Sequence, residues 1–150
     1  MRSFEIRISA GFYIGAAIAV LLFPWSMLFS FAFAAAFHEL CHLIALWCCH
    51  VSVRQINLGL FGAVITTGPM LPGQELLCAA AGPVGSLILV TLARWVPIIA
   101  LFGLAQGIFN LLPLYPLDGG RIVRSIFMLA KTARCDYNSP DYKQRGNNHD

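Results

Sequence analysis

Apolar residues run almost unbroken through positions 8–23, stop at Pro24-Trp25-Ser26, and resume through 26–49. This run of about 42 residues is twice the roughly 20 that one helix needs to cross a bilayer. The pattern therefore predicts two apolar helices joined by a tight turn at Pro24. The first is expected to be retained rather than cleaved as a leader, because its apolar segment is long and Glu5 precedes it. Residues 50–73 differ in kind. Val51 and Val53, then Ile56, Leu58 and Leu60, alternate with other residues among glycines. One or two membrane-associated strands are expected over 51–67, with turns near 59–62 and 68–73.

A third helix is expected over 75–93. It contains Gly82-Pro83 and Gly85-Ser86, small residues that permit close helix contact. A fourth is expected over 98–112, where Gln106 and Asn110 are one turn apart and should face the protein interior. Pro113 and Pro116 then interrupt the chain, followed by Asp118 and the permissive Gly119-Gly120. Residues 121–131 read as an interfacial amphipathic helix carrying Arg121, Arg124 and Lys131. Residues 1–131 form the expected core, and 132–150 a polar, disordered cytoplasmic tail.

Composition fixes the class. The chain of 150 residues is 58% hydrophobic and 11% charged, whereas a soluble domain carries about 25% charged residues. This is the composition of an α-helical, polytopic integral membrane protein. Placing both termini on one side of four spans puts nine basic residues there and only Arg94 on the other. That asymmetry makes both termini cytoplasmic. The five cysteines include no Cys-x-x-Cys pair, so neither a disulfide framework nor a zinc knuckle is indicated. No basic stripe interleaved with aromatics points to nucleic acid.

The chemistry lies in the second apolar run. Glu39 is the only Asp, Glu, Lys or Arg between Ile8 and Val53, and it is flanked by His38 and His42. Two histidines four apart share one helix face and can converge on one metal ion. Glu39, rotated by about 100°, stands beside that ion, placed to take a proton from water. Catalytic zinc typically has three protein ligands. Asp118 is the best third: it is the acidic residue of the Gly- and Pro-broken segment, and the four-span topology puts it on the same side of the membrane as His42. This set fits peptide-bond hydrolysis.

His38-Glu39-Leu40-Cys41-His42, with the downstream Asn110-Leu-Leu-Pro113-Leu-Tyr-Pro116-Leu-Asp118-Gly-Gly-Arg121, resembles the site-2 protease family of intramembrane zinc metalloproteases. Within it, the sporulation stage IV FB-type branch looks most similar. Residues 81–86, Ala-Gly-Pro-Val-Gly-Ser, resemble the family's Gly-Pro motif, with Ser86 where Asn is usual. The resemblance implies one zinc per chain on His38, His42 and Asp118, with Glu39 as base. It implies a membrane-spanning or membrane-proximal protein substrate in a bacterial cell membrane. It places Asn110, Gln106, Gly82, Pro83 and Ser86 at the substrate cavity, and lets the 51–67 strands pair with an unwound substrate. A regulatory membrane partner is compatible with so short a catalytic core. Two other readings compete, a non-catalytic metal-binding scaffold and a metal transporter. A scaffold has no need of Glu39, and a transporter would line a route across the membrane with polar groups, which here cluster near one face.

Overall fold

The computed structural model describes residues 5–59 and 62–137. It is mainly helical, with a small sheet at one end. Strand β1 (Glu5–Ile8) leads into helix α1 (Ala10–Leu22), which ends just before Pro24, and α2 (Trp25–Cys48) runs back. The hairpin β2 (Val53–Gly59) and β3 (Gly62–Thr67) follows, then α3 (Pro72–Thr91), α4 (Pro97–Asn110) and α5 (Asp118–Tyr137).

The sheet order is β1-β2-β3, with β1 parallel and β3 antiparallel to β2. Parallel neighbours need a long crossover, and the α1–α2 pair supplies it. β1 is an addition to the sequence reading, which expects no strand before residue 51. Its Glu5 and Arg7 pair with each other at 3.0 Å on one face, and Ile6 and Ile8 alternate with them, but an alternation of only four residues is too short to mark a strand by itself. Because β2 is the middle strand, β3 is the hairpin member whose outer edge pairs with no other strand among the described residues.

α3 is the central helix, packed against α2, α4 and α5. It buries Ala79, Gly82, Pro83, Gly85 and Ser86 along one stripe. A Cβ on Gly85 would strike Cys41 Sγ, and one on Gly107 would stand 3.0 Å from the Ser86 Cβ. Side chains larger than hydrogen there would push the helices apart. α2 buries Ala34, His38, His42 and Leu46, one residue per turn.

The outer surface is apolar. Leu21, Phe29, Trp47, Leu77, Leu87 and Leu101 are exposed. In water such a surface would aggregate; in hydrocarbon it costs nothing. α2 and α3 are long and apolar enough to cross a membrane. α1 and α4 have 13 and 14 residues. Each is about 20 Å long at 1.5 Å per residue, short of the roughly 30 Å hydrocarbon core. Helix α5 is longer than the expected 121–131. It begins at Asp118 itself and runs to Tyr137, into the stretch expected to be tail. The rest of that tail lies outside the described residues.

Candidate metal centre

His38 and His42 lie on the buried stripe of α2, 1% and 6% exposed. Their Nε2 atoms are 3.2 Å apart. Asp118, on the first turn of α5, brings Oδ2 to 3.2 Å from His38 Nε2 and 3.0 Å from His42 Nε2. A tetrahedral ion with ligands at about 2.0–2.1 Å holds them about 3.3 Å from one another, so the three atoms are spaced as neighbours around one ion.

The far side of each imidazole decides what its Nε2 can do. His42 Nδ1–H donates to the Cys78 carbonyl at 2.7 Å. His38 Nδ1 is hydrogen-bonded to Ser86 Oγ at 2.8 Å, a hydroxyl able to accept from Nδ1–H. The carbonyl, which can only accept, turns the Nε2 lone pair of His42 toward the shared centre, and the hydroxyl is compatible with the same tautomer of His38. Two lone pairs and a carboxylate oxygen, three acceptors meeting in a buried place, make a cation site. A ligating carboxyl must be ionised, which is the ordinary state of an aspartate at neutral pH.

Gly82 tests the fit independently. A Cβ at Gly82 would collide with Nε2 of both His42 and His38. The missing side chain leaves room on the ligand side of both rings. The Asp118-Gly119-Gly120 turn is tight for a related reason. A Cβ on Gly119 would strike the Leu111 carbonyl, and one on Gly120 the backbone of Leu114. Close approach of the 111–115 chain, rather than an unusual backbone angle, is what requires glycine here.

Glu39 is half-buried beside the three ligands and faces a cavity of about 490 Å³. β3 forms one wall, Gln106 and Asn110 of α4 another, and Arg121 and Arg124 of α5 stand along a third. Asn110 Nδ2 comes within 3.1 Å of His38 Nε2, reaching the ligand cluster from α4. Gln106 Oε1 is buried without a hydrogen-bond partner among the described residues. Arg121 places Nη1 3.9 Å from Asp118 Oδ1 and Nε 4.0 Å from Glu75 Oε1, so its charge is set between two carboxylates.

The structure thus brings His38, Glu39, His42, Asp118 and Asn110 together, with Gln106 on the same cavity. Ser86, Gly82 and Pro83, expected at the cavity, are all buried and are not among the residues that line it, although Gly82 borders the ligand atoms of both imidazoles. They belong to the α3 stripe that packs against the ligand face of α2, where Ser86 holds His38. The Cys78 carbonyl and Arg121 were not anticipated as parts of the centre. A backbone carbonyl carries no residue-type signal. Arg121 was read only as a polar member of an interfacial helix.

Comparison with known proteins agrees with this geometry. The model of Peptidase family M50 matches residues 79–137, which include the Gly82-Pro83 stripe, Asn110 and Asp118. Rip3 of Mycobacterium tuberculosis is 36% identical over 110 residues, covering 59% of this chain and 27% of that protein. The zinc metalloprotease MJ0392 of Methanocaldococcus jannaschii is 31% identical over 117 residues, covering 68% of this chain and 34% of that protein. The chain therefore spans about a quarter to a third of the length of these curated relatives. The solved site-2 protease from Methanocaldococcus jannaschii superimposes with a TM-score of 0.70 at 26% identity, over 85% of this chain and 68% of that one. These matches identify the family and do not single out the sporulation-type branch within it. By its fold, its ligand cluster and these relatives, the chain belongs to peptidase family M50, the site-2 protease family of membrane metalloproteases.

Proposed function

We propose that the chain is an intramembrane zinc metalloendopeptidase that hydrolyses peptide bonds within or next to the transmembrane segments of its substrates. The observation that carries the reading is the convergence of His38 Nε2, His42 Nε2 and Asp118 Oδ2 beside Glu39 at a cavity. These three residues would hold one zinc ion per chain. When bound, zinc supplies Lewis acidity, polarising the scissile carbonyl and making water more acidic. Glu39 accepts the proton that water gives up and passes it to the departing amine. The Cys78 carbonyl keeps His42 in the ligating tautomer, and Ser86 orients His38 and accepts from its Nδ1–H when Nε2 is a ligand. Asn110 and Gln106 offer carboxamides to the peptide backbone. The free edge of β3 on the cavity wall supports recognition of an unwound substrate by strand addition.

In this reading the protein is multi-pass in a bacterial cell membrane, with four helices embedded and both termini cytoplasmic. A partner membrane protein would set when it cuts, in regulated intramembrane proteolysis.

The test is co-expression with tagged single-span and membrane-proximal substrates, comparing the wild-type chain with Glu39→Gln. Cleavage should require Glu39, while zinc content stays at one equivalent in both. Equal cleavage by both forms, or a purified chain that takes up no zinc, would refute the reading.

A further inference from the structure

Two guanidinium groups line the cavity wall formed by α5, and they differ in their commitments. Arg121 lies between Glu75 and Asp118. Arg124, one turn further along, is exposed at the cavity rim. Among the described residues no carboxylate lies within 4.0 Å of it. The other carboxylates of the cavity, Glu39 and Glu75, have places of their own, the first beside the ligands and the second beside Arg121. Arg124 is thus a positive charge offered to whatever occupies the cavity.

We infer that Arg124 is a specificity-determining residue, favouring peptide substrates with an acidic side chain beside the segment to be cut. The inference rests on the proposed peptidase reading and names its substrate class. The chemistry has an attractive and a repulsive half. A guanidinium pairs with a carboxylate through two parallel hydrogen bonds. It also repels lysine and arginine, which are in excess on the cytoplasmic flanks of membrane-spanning segments. One arginine at the rim therefore disfavours most such flanks and spares the minority that carry Asp or Glu.

Binding tests this apart from catalysis. The full chain with Glu39→Gln, loaded with zinc and held in lipid nanodiscs, is titrated with three fluorescent peptides. Each carries the same single apolar segment, flanked on one side by Asp-Glu, Asn-Gln or Lys-Lys. The acidic peptide should bind about fivefold more tightly than the neutral one, the scale of a partly exposed ion pair, and the basic peptide more weakly still. Adding Arg124→Glu should reverse the order, and Arg124→Lys should keep it. Equal affinities in the Glu39→Gln chain, or an order that Arg124→Glu leaves unchanged, would overturn the inference. Failure of all three peptides to bind would overturn it together with the peptidase reading. Charge-dependent binding alongside a wild-type chain that cleaves none of the three would count against the peptidase reading alone.

Discussion

Ser86 has one hydroxyl and no exposure, and that hydroxyl holds the far nitrogen of His38. Ser86→Ala removes the acceptor without crowding the helix contact. Metal affinity should fall about 10- to 100-fold, the usual cost of losing the group behind a ligating histidine. Competition with a zinc chelator would measure this, with Ser86→Thr, which keeps a hydroxyl, as the partial rescue. Gly82→Ala should do worse. The added methyl occupies space against both Nε2 atoms, so zinc binding should be lost while the helical circular dichroism persists. The two substitutions also show what single-chain sequence could reveal. His38, Glu39 and His42 were legible because helix periodicity alone puts two histidines on one face. Asp118 was legible because an acid between Pro116 and Gly119 has few other reasons to be there. The roles of Ser86 and Gly82 were not, because they depend on how closely α3 sits against α2, which no local pattern encodes.

Among the elements, α4 carries two requirements at once. One side, through Gly103 and Gly107, packs directly on α3. Gly103→Val should overpack that contact against Leu89 and cost about 1–3 kcal/mol, seen as a lowered thermal transition in detergent. The other requirement is water, which hydrolysis consumes and lipid does not supply. Cysteines placed at Gln106 and Asn110 should react with a membrane-impermeant thiol reagent, while cysteines at the outward-facing Leu101 and Ile108 should be protected. Uniform protection would mean that the cavity is dry. The helices were legible as elements because their apolar runs and proline breaks are strong signals; α2 begins right after the expected break. β1 was not, because four residues with two charges gain strand identity only from pairing with β2. The extra length of α5 was missed for a similar reason. Its first turn is fixed by the 111–115 chain folding back over Gly119 and Gly120, and its later turns follow from residues read as polar tail.

In the whole molecule, α2 and α5 come from distant parts of the chain, and each leans on α3. The ligand cluster joins them to one another, since His38 and His42 belong to one and Asp118 to the other. Metal uptake is consequently a fastening of tertiary structure as well as an arming of chemistry. An ion that binds only the folded chain raises stability by RT ln(1 + [L]/Kd), about 2.7 kcal/mol at 100-fold saturation. The melting temperature of the purified chain should climb with free zinc. Asp118→Asn should flatten that climb, and amide exchange near the start of α5 should quicken when a chelator is added. A cell that starves this protein of zinc would then face a loosened helix as well as an idle enzyme, and such a helix is a handle for quality-control proteases.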